Sequence, residues 1–447
     1  MTIVETELKL ILHRVVFHYV LPLTTLVLSA IADASGPVSN DFSWPNSSLN
    51  AYLERALAVS PSLDAFKHRY EAALTRIPQA SALPNPQFQV THFVESIQTR
   101  TGPQENAFAL SQRFPWFGML SERERAAGIE AEALRDAWQS QNLRIVLETG
   151  TSYYDYALVH RQIDLVQRNF ELLRQTLPSI EERVRGGESL DALLRLQVEA
   201  GRLDNRLSDL RSRQKVVEAK LCELLVLNDS VLLPTPELKP VETPTVDSSS
   251  LHKALERNNP ELKMLRKKIE SADAQKVQAR LESYPDITLG MNYIQIDDPS
   301  GPMSDAGRDA WGVTVGISIP LWIENNRSVR LEAAEARDAL YADFQQRLLT
   351  LKTEISQHIT QLQNAAHTAS LYGDELLKLA EQLVAISRTR YESGEGTLLA
   401  WIDSERSLLE LELNYWKAVS DIAKHHLALQ IMVNKPVAGI QISETRE

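Results

Sequence analysis

The chain carries one pattern twice, in the same order, and that repetition limits the folds open to it more than any other feature. "SLNAYLERALAVSPSL" (48–63) is echoed by "SLHKALERNNPEL" (250–262), and "LPNPQFQV" (83–90) by "SYPDITLG" (283–290). Further on, "RFPWFG" (113–118) is answered by "SIPLWI" (318–323), and "RVRGGESLDALL" (183–194) by "YESGEGTLLAWI" (391–402). After the last pair the echo becomes a register. Leu193, Leu196, Ala200, Leu203, Leu207, Leu210, Gln214, Val217, Leu221 and Leu224 follow 3,4 spacing, the seam of a coiled coil. Adding 208 to each number gives Trp401, Ser404, Leu408, Leu411, Tyr415, Ala418, Ile422, His425, Leu429 and Met432, a second seam in phase with the first. An ancestral duplication accounts for both order and phase.

Each half also holds one region of period two. Phe88, Val90, His92 and Val94 alternate with Gln87, Gln89, Thr91 and Phe93; a polar break, "TRTGPQEN" (99–106), leads into a second strand from Ala107 to Phe114. In the second half Ile287, Leu289, Met291 and Tyr293 form an apolar row, "DDPSGPMSDAGRD" (297–309) follows, and Trp311, Val313, Val315, Ile317 and Ile319 alternate with small or polar residues. Prolines frame both hairpins, Pro86 and Pro285 before them and Pro115 and Pro320 after, where a missing N–H ends a ladder. Strands of this length with one apolar face suit a bilayer, yet four are too few to close a barrel, and an open edge is not tolerated in lipid. Three copies of four strands each would supply twelve. The alternative is a pair of small sheets in a soluble α+β protein.

The segments between are long. From Gly118 to Gly186 is 68 residues and from Ile323 to Gly394 is 71, with Pro178 the only proline in either. At roughly 1.5 Å per residue each helix would reach about 100 Å, far beyond the ordinary helix of a globule. Such a helix needs neighbours along its whole length. Each half therefore reads helix (47–80 or 248–283), strand pair, very long helix, glycine turn and returning helix. The expected division is a first repeat over 35–228 with its hairpin at 86–115, a Pro/Thr/Ser-rich connector over 229–247, a second repeat over 248–433 with its hairpin at 285–320, and a tail over 434–447.

Composition narrows the partners. A net charge of −12 without a concentrated basic face excludes nucleic-acid recognition. The single cysteine, Cys222, rules out disulfides within the chain and is read as a buried small hydrophobe. At the amino terminus Lys9 and Arg14 precede "VVFHYVLPLTTLVLSAIADA", which ends in Ala30-Ile31-Ala32 and Ala32-Asp33-Ala34, the form of an export signal over 1–34. Glu5, Glu7, His18 and Pro22 make it untidy, and a membrane anchor is the alternative. No lipid-anchor cysteine follows, and beyond residue 35 no run of about 18 apolar residues occurs, so helices are not the way this chain enters a membrane.

With these residues in place, the chain resembles the TolC-type outer-membrane efflux duct family from about residue 45 to 433, through "LPNPQF", "SQRFPWFG", "VGISIPLW" followed by "NRSVRLEAAEA", and "YESGEGTLLAWIDSERSLLE". The resemblance implies a mainly α homotrimer whose twelve-strand membrane β-barrel continues into a twelve-helix periplasmic α-barrel. It implies a passive duct for exported solutes, set in outer-membrane lipid and docked to an inner-membrane efflux pump through a periplasmic adaptor. By position, Gly186, Gly187, Glu188 and Ser189, with Gly394, Glu395, Gly396 and Thr397, would form the two tip loops where the adaptor grips. Tyr391 and Asp403 match the family's gating network, Asp191 joins them as a candidate, and Pro115, Gly118 and Pro320 mark the strand-to-helix junctions. The sequence departs from the family pattern at Gly396 and Ala400, where a basic and an acidic residue would complete the constriction.

No phosphate loop of the form GxxxxGK[ST] and no GxSxG nucleophile motif occurs, so enzyme activity and cofactors are not expected. His425-His426, and His358 with His367, are poor chelates by spacing, so structural roles are expected of them. Trp116, Trp311, Trp322 and Tyr293 lie near strand ends, as an interfacial belt would. Asp297, Asp298, Asp305 and Asp309 hint at cations as cargo, and "FPWFG" is similar to heavy-metal efflux members; drugs and exported protein remain open. The competing function is a secreted or cytosolic coiled-coil scaffold without a pore.

Overall fold

A computed structural model describes residues 46–187, 190–228, 231–240, 247–298 and 307–435. The export signal over 1–34, residues 229–230 and 241–246 of the connector, and the tail beyond 435 lie outside the described residues. The first half runs α1 (Leu49–Val59), α2 (Pro61–Ala80), β1 (Gln87–Thr99), β2 (Gly102–Phe114), α3 (Met119–Arg185) and α4 (Leu190–Leu225). The second half runs α5 (Ser248–Asn258), α6 (Pro260–Leu281), β3 (Ile287–Ile296), β4 (Ala310–Ile317), α7 (Ile323–Ser370), a π-helical turn (Leu371–Leu376), α8 (Leu377–Glu392) and α9 (Leu398–Met432).

The helix expected over 47–80 is two helices, and so is that over 248–283. Each breaks at a polar residue followed by proline. Ser60 accepts a hydrogen bond from the Leu63 N–H at 3.4 Å and Asn259 accepts one from the Leu262 N–H at 3.1 Å, so each side chain caps a helix whose first residue is proline. Asn259 also donates to the Met432 carbonyl at 2.9 Å, tying the break to the end of α9.

The long helix of the first half is continuous for 67 residues, Pro178 included. Its counterpart is not. The π-helical turn interrupts it where Gly373 faces Tyr415: a Cβ on Gly373 would stand 2.9 Å from that ring. Seam residues behave as the periodicity requires, for none of the expected positions on α4 or α9 is exposed. One apolar layer joins Leu165, Leu173 and Ile180 of α3 to Leu196, Leu203 and Leu207 of α4 and to Leu398, Ile402 and Leu409 of α9. Another joins Leu255 of α5, Leu262 of α6, Leu351, Ile355 and Leu362 of α7, and Ile422 and Leu429 of α9. Cys222 is buried, 2% exposed, as a small hydrophobe.

The two hairpins form one antiparallel sheet in the order β1-β2-β3-β4, because β2 pairs with β3 across the halves. The first hairpin turns more tightly than the polar break suggested: its strands are 13 residues each and Thr99 pairs with Gly102. Gly102 has φ of +136°, a conformation side chains resist, and it lies against the Asp297 backbone. β4 ends at Ile317, short of Ile319.

Candidate functional site

Register decides what the sheet presents. Phe88 pairs with Leu110, Leu110 with Met291 and Met291 with Val313; one step along, Val90 pairs with Phe108, Phe108 with Tyr293 and Tyr293 with Trp311. Neighbours in a ladder share a face, so these residues make one apolar surface across all four strands. It has no cover within the described residues, with Phe88 67%, Trp311 75% and Val313 69% exposed. The opposite face carries Thr91, Ala109, Ser111, Thr288, Gly290, Asn292, Gly312 and Thr314. β1 and β4 each lack an outer neighbour among the described residues.

Strands pass into helices through braced corners. After Pro115, Met119 donates its N–H to the Trp116 carbonyl at 3.0 Å, and Gly118, at φ of +86°, opens α3. Arg113 meets Asp286 at 3.0 Å and Trp116 stacks on Tyr284 at 5.2 Å, so the first exit is fastened to the second entrance. Ser318 donates its N–H to the Asp286 carbonyl at 3.0 Å ahead of Pro320 and α7. Leu321, Trp322 and Ile323 follow at 71–77% exposure, continuing the apolar surface.

At the far ends of the helices lie the glycine turns. Gly186 caps α3 by donating its N–H to the Glu182 carbonyl at 3.0 Å, and Gly187 takes φ of +106°. Glu188 and Ser189 lie outside the described residues. In the second turn Gly394 takes φ of +80°, while Glu395 and Gly396 both donate backbone N–H to the Arg390 carbonyl, at 2.9 and 2.8 Å. Thr397 caps α9 by accepting the Ala400 N–H at 3.2 Å. A Cβ on Gly396 would stand 3.0 Å from Arg390 Cβ and 3.1 Å from its carbonyl carbon, so this turn leaves little room for the basic residue of the family pattern.

Beside that turn, Tyr391 is 9% exposed and stacks on Trp401, with centroids 5.7 Å apart and planes at 26°. Arg183 of α3 lies 5.0 Å from the Tyr391 ring, and Arg388 lies 5.8 Å from that of Trp401. Trp401 donates Nε1–H to Glu405 Oε1 at 2.9 Å. Asp191 pairs with Arg195 at 2.8 Å and Asp403 with Arg406 at 3.5 Å, each on its own helix. Arg195 also feels the Asp403 charge. The bond between helices falls elsewhere: Arg406 of α9 meets the buried Glu199 of α4 at 2.6 Å, and Arg206 pairs with Glu410. Sequence reasoning had Trp401 as a seam position and did not reach Glu405, Glu199 or Arg406 as site residues. The tryptophan–glutamate spacing of one helical turn was the available signal; the Glu199–Arg406 pairing left none.

Burial pushes the Glu405 carboxyl up, opposed by the Trp401 hydrogen bond and the Arg388 charge. A carboxyl whose folded pKa is raised stabilises the fold at pH values below its unfolded pKa, and that contribution is lost as pH rises through the folded pKa. Glu405→Gln keeps an acceptor for Trp401 and removes the charge. The variant is expected to melt at a higher temperature than the parent at pH 8 and to match it near pH 4; equal melting at both would refute the assignment. Some dependence will persist, because burial raises Asp136 and Glu412 in the same direction.

Among the described residues no helix is long and apolar enough to cross a membrane, and no group of three or more His, Cys, Asp or Glu side chains is placed to hold a metal. The family described as outer membrane efflux protein matches residues 52–225 and 251–435, one segment in each half. Nodulation protein T of Rhizobium leguminosarum bv. trifolii is 20% identical over 87% of this chain and 86% of its own. The multidrug resistance outer membrane protein MdtQ of Escherichia coli O157:H7 is 21% identical over 82% of this chain and 83% of its own. Among solved structures, the outer-membrane channel OprN aligns with a TM-score of 0.74 and 16% identity over 87% of this chain and 90% of its own. VceC of Vibrio cholerae aligns at 0.72 and 21% over 88% and 97%. The chain belongs to the outer membrane efflux protein family, a channel of the Gram-negative outer membrane rather than an enzyme.

Proposed function

We propose that three copies close their sheets into a twelve-strand barrel in outer-membrane lipid, continued by a twelve-helix periplasmic tube that conducts exported solutes passively. The carrying observation is the four-stranded sheet with one uncovered apolar face and two unpaired edges, β1 and β4. Lipid would cover the face, and β4 of one copy would pair with β1 of the next, since backbone groups at an open edge cost several kcal/mol each in hydrocarbon. Exposed rows on the helices support the same assembly: Leu379, Leu383 and Ile386 on α8, and Leu190, Leu194 and Val198 on α4.

In this reading segment 1–34 directs export, repeats 35–228 and 248–433 each supply half of a protomer, and 229–247 joins them. The turns at Gly186–Ser189 and Gly394–Thr397 form the tip and meet a periplasmic adaptor that links the duct to an inner-membrane pump. Tyr391, Asp191 and Asp403 belong to the gate, with Trp401 and Glu405 behind them. Cargo follows the pump; metal cations, favoured by Asp297, Asp298 and Asp309, and drugs, favoured by the MdtQ name, are the two classes to test. The pore-free scaffold gains nothing from the family match.

Particles extracted in detergent and imaged by electron microscopy should show threefold symmetry and a continuous lumen. A monomer, or an assembly without a lumen, would defeat the proposal.

A further inference from the structure

His358 of α7 and His425 of α9 are 67 residues apart in sequence, yet their Nδ1 atoms stand 3.1 Å from each other, with ring centroids 5.3 Å apart and planes tilted by 47°. Spacing along the chain had paired each with a different histidine. Both rings are half-buried, and burial disfavours the charged form of each; for His425 the neighbouring His358 adds to that. In the neutral form that burial favours, one ring donates its Nδ1–H and the other accepts, which of them does so being set by the tautomer.

We propose that this pair binds a borderline divalent cation of the zinc, copper or nickel kind, with His358 Nδ1 and His425 Nδ1 as the protein ligands and water completing the shell. Metal–imidazole bonds of about 2.0–2.1 Å place two nitrogens on one ion roughly 2.9 Å apart at a right angle and roughly 3.4 Å apart at the tetrahedral angle. The observed 3.1 Å falls between those spans. One ring must shift its proton from Nδ1 to Nε2 through solvent, which frees the second lone pair. Both rings stay neutral, so the exchange neither consumes nor releases a proton.

Room for solvent ligands exists on one side, where a cavity of about 420 Å³ is lined by Gln361, Asn364, Lys417, Asp421 and His425. Asp421 stands one helical turn before His425 and Glu354 one turn before His358, and both add negative potential at their histidine. Each carboxylate is engaged, Asp421 with Lys424 at 2.9 Å and Glu354 with Arg347 at 3.1 Å, and the Lys424 charge works against a cation. Two protein ligands plus water make an exchangeable site, in which copper should bind more tightly than nickel or zinc.

The proposal does not depend on the duct, because binding can be read without transport. Untagged full-length protein in detergent is titrated with Cu²⁺ and with Zn²⁺ by calorimetry, and Cu²⁺-loaded protein is examined by electron paramagnetic resonance. The expected result is one site per chain, with nitrogen hyperfine structure from two imidazoles. His358→Ala and His425→Ala should each weaken binding at least tenfold. His426→Ala, whose ring instead faces Gln430 at 3.2 Å, should leave it unchanged. Spectra of the parent protein guard against variants that fail to fold: a resonance lacking two imidazole nitrogens, absence of saturable binding, or affinity in the His358 and His425 variants equal to the parent's would overturn the site.

Discussion

Arginine in place of Val313 will destabilise the membrane-inserted protein by about 2–4 kcal/mol per chain, the cost of a cationic side chain facing hydrocarbon near the midplane of a barrel. Val313 lies on the apolar face beside Met291 and is 69% exposed within one chain. Its neighbour Thr314 pairs with Gly290 on the opposite face, because successive side chains of a strand alternate. Thr314→Arg should therefore cost far less in stability and should act on conductance instead, by placing a charge in the proposed lumen. Equilibrium unfolding from lipid vesicles measures the first variant and planar-bilayer recording the second. Equal destabilisation by the two would mean that the apolar face does not meet lipid.

That contrast is legible in the sequence, since period-two alternation needs only the order of Trp311, Val313, Val315 and Ile317. The glycine turns were legible for a similar reason: positive φ at Gly187 and Gly394 is a local demand, written into the residue itself. Pairing between distant segments was not. That β2 finds β3 depends on contacts between distant segments, such as Leu110 with Met291, and the sequence marks only that both are apolar. The helix breaks at Ser60-Pro61 and Asn259-Pro260 carry a capping signal, a polar residue ahead of proline, although the apolar periodicity runs on across them. The π-helical turn had no comparable signature. Gly373 is tolerated in a long helix, and what sets it apart is the Tyr415 ring arriving from α9. Likewise His425 announced its seam position but not its partner, because His358 reaches it from α7.

The largest loss at the proposed tip should come from a residue the motifs did not single out. Trp401 is 6% exposed, stacks on Tyr391, lies under Arg388 and donates to the buried Glu405. Trp401→Ala removes the ring from a packed layer, which costs about 3–5 kcal/mol, and leaves Glu405 without that donor. Trp401→Phe keeps most of the stacking and loses only the indole N–H, at about 1–3 kcal/mol for the acceptor left behind. If α8 and α9 are held at the tip through this cluster, the alanine variant should melt well below the parent and conduct more current in planar bilayers, with phenylalanine between them in melting temperature. The order follows from geometry: Tyr391 lies in the last turn of α8, Trp401 in the first turn of α9, and their rings stack across the Gly394–Thr397 turn. A Trp401→Ala protein with the parent's melting temperature and conductance would show that the cluster neither holds the turn nor limits the opening.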